Sequence, residues 1–157
     1  MKLEDSIGFQ INQTGRRLSQ LLGHRFLPHE VTTEQWSVLA RLNEEDGISQ
    51  KDLAHRVGKD QTNVTRILDQ LERKGLVVRR PNPDDRRSFL PFVTPEGRKT
   101  YERLVPIEEE VISAVTEGIS AEELDAMKKL LIRIADRSVR LLADSPTPQQ
   151  ESTQRGE

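Results

Sequence analysis

The 157-residue sequence predicts a mainly helical domain that carries one small two-stranded hairpin. Three observations lead there. Apolar residues recur at spacings of three and four along most of the chain, the period of a buried helix face. Capping signals punctuate that pattern at Thr32, Ser49, Asp60, Thr94 and Ser120. After Gly75 the period changes: "LVVRR" and "SFLPFV" are short β-branched and aromatic runs separated by the turn-forming "PNPDD".

The first helix is expected from about Leu3 to Phe26, where Leu3, Ile7, Ile11, Leu18, Leu22 and Phe26 fall near helical spacing before Pro28. The capping box "TTEQ", Thr32 to Gln35, starts a second helix that runs through Trp36, Leu39 and Leu42 to about Glu45, and Gly47 stops it. Ser49 caps "SQKDLAHRV", and Gly58 breaks the chain before Asp60 caps a longer helix that ends at Gly75. Beyond the hairpin, Thr94 as cap and Pro95 at the first helical position open a helix to about Glu117. A second box, "SAEE" from Ser120 to Glu123, begins the last helix, whose Leu124, Met127, Leu131, Ile134, Ser138 and Leu141 alternate spacings as a packing seam does. With no internal repeat, residues 1–143 are expected to form one domain, and the polar, proline-containing tail 144–157 to be disordered.

Composition narrows the function classes. The absence of cysteine excludes disulfides, thiolate zinc sites, cysteine nucleophiles and thiol redox sensing together. No run of eighteen apolar residues occurs, and "MKLEDSIGFQ" opens with acids where a signal peptide needs a basic and then an apolar segment, so a cytoplasmic location is expected. His24, His29 and His55 are too scattered for a helical metal pair, and no phosphate loop, nucleophile elbow or paired-carboxylate pattern appears. Neither a metal, a cofactor nor an enzymatic activity is expected. Trp36 lies on an apolar stripe and is read as core.

Charge separates along this plan. Between Ser49 and Tyr101 stand twelve Lys or Arg against seven acids, a window of +5, while the rest of the chain carries −7. The overall charge of −2 thus conceals a basic module on acidic supports. Within that module the helix from Asp60 to Lys74 buries Val64, Ile67, Leu68 and Leu71, leaving Gln61, Thr62, Thr65 and Arg66 on or beside the open face. Taken alone, such a face is what any solvated helix presents. Its neighbourhood changes the reading: a short helix with Ala54 facing its partner, a glycine turn, a polar-faced second helix and a basic hairpin make a helix-turn-helix with a wing. Arg and Gln can pair with base edges and threonine can meet a thymine methyl when such a helix enters a major groove.

The stretches "TTEQWSVLARL" and "ISQKDLAHRVGKDQTNVTRILDQLERKGLVVRRPNPDDRRSFLPFVTPEG" together resemble the MarR family of winged helix-turn-helix transcriptional regulators. The likeness runs from about Thr32 to Gly97 and rests on the LA-x-x-(V/L)-G turn, the V-T-R of the second helix, the L-E-x-K-G-L exit, the D-R-R wing and the T-x-x-G start of the next helix. It implies a winged helix at about 32–97, flanking dimerisation helices at about 3–26 and 98–143, and a homodimeric, ligand-responsive repressor on a pseudo-palindromic operator in double-stranded DNA. It implies a DNA-contacting set of Ser49, Lys51, Gln61, Thr62, Thr65, Arg66, Arg79, Asp85, Arg86 and Arg87, with Asp85 holding Arg87 for the minor groove. A small aromatic or anionic effector is also implied, with Arg16, His24 and Arg41 as candidate contacts.

Two alternatives stay open beside that reading. Asp84 and Asp85 would form the turn in any case, leaving Arg86 and Arg87 as loose phosphate contacts. A winged-helix module that binds proteins would keep the fold without DNA, and salt-dependent binding to duplex DNA separates the two. The second hairpin strand departs from the family pattern as "LPFVT": Pro91 fits a strand only if its N side faces away from the partner, and the strand is expected to be covered on both faces or to carry a bulge.

Overall fold

The computed structural model describes residues 1–146 as six helices and one hairpin, in the order α1 (Ile7–Phe26), α2 (Thr33–Glu44), α3 (Gln50–Val57), α4 (Gln61–Arg73), β1 (Val77–Asn82), β2 (Asp85–Val93), α5 (Pro95–Val115) and α6 (Ala121–Asp144). The caps expected from the sequence set these boundaries. Thr32 and Gln35 exchange side-chain and backbone bonds as a full capping box, and Ser120 and Glu123 do the same for α6. Ser49 Oγ accepts from the Asp52 amide, Asp60 Oδ1 from the Asn63 amide, and Thr94 Oγ1 from the Gly97 amide.

The first helix starts later than its apolar spacing predicts. Ser6 Oγ accepts from the Phe9 amide and caps α1, so Leu3 falls in a separate 3₁₀ turn, Leu3–Asp5. A hydroxyl able to satisfy an orphan amide outcompetes continued periodicity. At the other end α6 includes Asp144, and residues 147–157 of the expected disordered tail lie outside the described residues.

The chain divides into two compact units, Met1–Val115 and a second that begins at Thr116. The first holds two apolar clusters. Val38, Leu39 and Leu42 of α2 meet Leu53 and Ala54 of α3, Val64, Ile67, Leu68 and Leu71 of α4, and Leu76, Val77 and Val93 at the base of the hairpin. Phe26, Val31 and Leu104 form the second, closed by half-buried Leu22, Trp36 and Ile107. Trp36 stacks on Tyr101 with ring centroids 5.1 Å apart and planes at 14°. Trp36 is therefore packing material, as its stripe implied. In the second unit, α6 carries no buried residue, and Met127, Leu130, Leu131, Ile134 and Leu141 all stand exposed.

Two glycines mark close approaches. Gly97, one turn into α5, lies against the hairpin base: a β-carbon there would sit 2.1 Å from the Leu76 carbonyl oxygen. Gly47 has φ +70°, and a β-carbon there would meet the Phe92 ring at 2.8 Å. Helix α5 runs unbroken through Pro106. Both Pro106 and Glu102, whose carbonyl loses its usual amide partner, are exposed.

The hairpin resolves the question raised by Pro91. Arg79 lies opposite Pro91 and Pro81 opposite Phe89. The Pro91 carbonyl accepts from the Gly47 amide at 2.9 Å, and the Val93 amide donates to Asp46 Oδ1 at 2.8 Å, so these positions of β2 turn their backbone groups away from β1. Pro91 therefore needs no ladder donor, and its ring is fully buried. On the other face Phe92 is covered by Gly47 and by the Arg80 guanidinium, 5.0 Å above its ring. Both expected devices are present, because the register also breaks beyond Pro81: Asn82 faces Asp85, and Arg86, Arg87 and Ser88 have no partner residue on β1.

Candidate nucleic-acid interface

The candidate surface is built on α3, α4 and the hairpin. Ser49 is half-buried at the start of α3, where its oxygen accepts the capping bond while its hydroxyl proton stays available, and Lys51 beside it is exposed. On α4 the apolar stripe sinks Val64, Ile67, Leu68 and Leu71 completely, which forces Gln61, Thr62, Thr65 and Arg66 outward, and all four are exposed. Thr65 Oγ1 lies 2.9 Å from the Gln61 carbonyl and 3.1 Å from Gln50 Oε1, and its single proton can serve one at a time. These side chains thus share one face near the N-terminal end of α4, as the sequence reading expected.

Two cations of this surface are tied to an acid that the sequence reading did not single out. Glu34, in the first turn of α2, accepts from Lys59 Nζ through Oε1 and from Arg66 Nη2 through Oε2, both at 3.2 Å. Hydrogen bonds from Lys59 and then Arg66 hold the Glu34 carboxyl below the usual carboxylate range, outweighing partial burial. Nothing in the spacing of Glu34, Lys59 and Arg66 announces this meeting, which the packing of α2 on α4 brings about.

The hairpin places its arginines in two classes. Arg79 does not stand free at the surface: its guanidinium pairs with Asp69 and, at 2.8 Å, with Glu72, and its side chain is only 22% exposed. Desolvation opposes its charge, yet the bonds to Glu72 and Asp69 win and raise its pKa. Arg79 thereby pins β1 to the flank of α4. Arg86 and Arg87, by contrast, are exposed in the bulged tip, and among the described residues neither guanidinium has an ion-pair partner.

Asp85 meets Arg87 differently from the expected side-chain pair. Its Oδ1 accepts from the Arg87 backbone amide at 3.0 Å, while Asn82 Oδ1 accepts from the Asp84 amide at 2.9 Å and Asn82 Nδ2 donates to Ser88 Oγ at 3.2 Å. A short acid two residues before an amide closes an Asx turn more readily than it reaches a long side chain. Asp85 shapes the backbone of the tip and leaves the Arg87 guanidinium free.

The effector candidates are spread apart. Arg16 lines an open groove along α1 with Ile11, Asn12 and Gln20, His24 is exposed on the same helix, and Arg41 on α2 is paired with Glu44 at 2.8 Å. A cleft of about 490 Å³ that the sequence did not indicate lies among His29, Glu30, Val31, Lys74, Leu76 and Thr100. Among the described residues no cluster of three or more His, Asp or Glu is arranged to hold a metal, and no helix is long and apolar enough to cross a membrane.

Residues 31–89 match the model of the MarR family. A transcriptional regulator of that family from Rhodococcus sp. RHA1 superposes with a TM-score of 0.80 at 29% identity, over 86% of this chain and 96% of that one. This chain is similar to the MarR family in sequence over that segment and in fold over most of its length. Its mainly helical build with a two-stranded wing matches the winged-helix fold of these proteins, which are transcriptional regulators. MarR itself, as a mutant from E. coli complexed with operator DNA, aligns with a TM-score of 0.75 at 27% identity over 82% of this chain and 92% of that one. CouR from Rhodococcus jostii RHA1, bound to p-coumaroyl-CoA, aligns with a TM-score of 0.78 at 27% identity over 86% and 95%. The matched MarR segment spans all of α2, α3, α4 and β1 and reaches into β2 as far as Phe89, so it contains every candidate DNA contact named above.

Proposed function

We propose that this protein is a MarR-like regulator, a homodimeric, sequence-specific repressor that binds a pseudo-palindromic operator in double-stranded DNA and releases it to a small effector. One observation carries the DNA-binding part: Gln61, Thr62, Thr65 and Arg66 lie exposed together on α4, beside a wing tip whose Arg86 and Arg87 have no acid partner among the described residues. Helix α4 enters the major groove, where Arg66 and Gln61 read base edges. Ser49 and Lys51 at the start of α3 take phosphates. Arg87 reaches the minor groove and Arg86 the backbone beside it. Arg79 and Asp85 act one step back, the first fixing the wing against α4 and the second shaping its tip.

Dimerisation is supported by the apolar faces that α6 and the first half of α1 leave uncovered, with Ile7 73% and Leu142 77% exposed. The relative bound to p-coumaroyl-CoA supports an aromatic, anionic effector, for which Arg16, His24 and Arg41 are the proposed contacts. Selection from a pool of random duplex DNA tests the whole reading. It should return one motif with two inverted half-sites about one helical turn apart. A pool that stays random, or binding indifferent to salt, would refute it.

A further inference from the structure

Arg66 and Lys59 bracket the first turns of α4, Lys59 in the turn before the Asp60 cap and Arg66 on the exposed face. One carboxylate holds both. Glu34 reaches them from α2, with Oε1 on Lys59 and Oε2 on Arg66 at the same 3.2 Å, so half of that local positive charge is cancelled beside the DNA surface. The pair is not sealed: the Arg66 side chain is 50% exposed and that of Glu34 44%, so a phosphate can compete for either cation. Because both hydrogen bonds keep Glu34 ionised well below neutrality, the competition is permanent.

We propose that Glu34 is a specificity-determining residue, which weakens binding to random DNA while leaving the operator complex intact. The inference rests on the reading that Arg66 meets base edges. A guanidinium has five N–H donors, and Glu34 takes one from Nη2. At the operator Arg66 uses its remaining donors on a base and keeps Glu34, so the acid costs nothing there and fixes the plane of the guanidinium. On random DNA no base rewards that pose. Arg66 and Lys59 then contribute only by swinging to phosphates, which means giving up the carboxylate for an oxyanion of similar strength. Non-specific binding is almost wholly such phosphate pairing, so it is the term that Glu34 suppresses.

The test measures binding of wild type, Glu34→Gln, Glu34→Asp and Arg66→Ala to the selected operator and to random duplex of equal length, across a salt series. Glu34→Gln should bind random DNA about three- to fivefold tighter, the worth of an exposed ion pair, with a salt slope steeper by about one to two. Its operator affinity should stay within about twofold of wild type, so that specificity falls by a similar factor, and Glu34→Asp should fall between. A fold defect would lower binding to both DNAs and could not steepen the slope. Equal tightening on both DNAs, an unchanged slope on random DNA, or weaker binding to both overturns the proposal. If Arg66→Ala weakens the operator complex while Glu34→Gln alters neither binding, the assignment to Glu34 fails alone. If Arg66→Ala leaves operator binding untouched, both it and the base-reading role of Arg66 fall.

Discussion

Exposure and partner, more than residue type, decide what each charged side chain of this protein can do. Arg66 and Arg79 look alike in the sequence, yet one is half-exposed on α4 and the other is bound by two acids. Truncating Arg66 to alanine should cost on the order of 1–3 kcal/mol at the operator and less on random DNA. Equal losses in a titration against both would reassign Arg66 to a backbone contact. The outward residues of α4 were legible in the sequence because a helix that buries Val64, Ile67, Leu68 and Leu71 leaves few choices for its other face. Glu34 and the acids that hold Arg79 were not, since their partners meet only after α2, α4 and β1 have packed. Glu108 adds a pH prediction. Burial first, and Glu109 beside it second, raise its pKa, so ionising it costs folding free energy. Below the ordinary glutamate range it is protonated in both folded and unfolded chains and contributes no difference. As pH rises through that range and past the raised value, the cost develops in full. Glu108→Gln should therefore leave the melting temperature unchanged near pH 4 and raise it by about 1–2 °C at pH 7. A gain at the acid end instead would contradict the sign.

Elements were read most securely where a polar cap met an apolar period, as at Thr32, Ser49, Asp60 and Ser120. The start of α1 was missed because Leu3 keeps the period while Ser6 breaks the helix, and periodicity carries no information about a competing hydroxyl. The T-x-x-G motif at the start of α5 now has a steric meaning. Gly97→Ala would place a methyl group inside the Leu76 carbonyl, and neither backbone is free to retreat. The expected loss is about 3 kcal/mol in urea unfolding, at the upper end of overpacking costs. A loss under about 0.5 kcal/mol would mean that α5 can slide along the hairpin. The wing tip tests a different kind of order. Arg87→Ala should weaken binding most at operators with A·T-rich flanks, whose narrow groove attracts a guanidinium. Asp85→Ala should weaken binding too, although it removes a negative charge facing DNA, because the bulge that presents Arg87 loses its bond to the Arg87 amide. Tighter binding by the Asp85 variant would show that charge outweighs shape at the tip.

At the scale of the whole molecule, each unit leaves apolar side chains open among the described residues. Leu3 and Ile7 in the first, and Met127, Leu131, Ile134 and Leu141 in the second, are side chains that a second copy should bury. Sedimentation at micromolar concentration should give one species near twice 18.0 kDa, and a stable folded monomer there would refute the homodimer. The rims of the hairpin are a different case, and the reason is Pro91. Its turned-out backbone puts Arg79 and Pro81 in the same outward phase on β1, so each strand carries a proline where its outer rim would offer a donor. A foreign strand arriving at either rim finds a gap instead of a continuous row of amides. The same two rings that permit an unusual wing also interrupt the row of amides along which a foreign strand would pair.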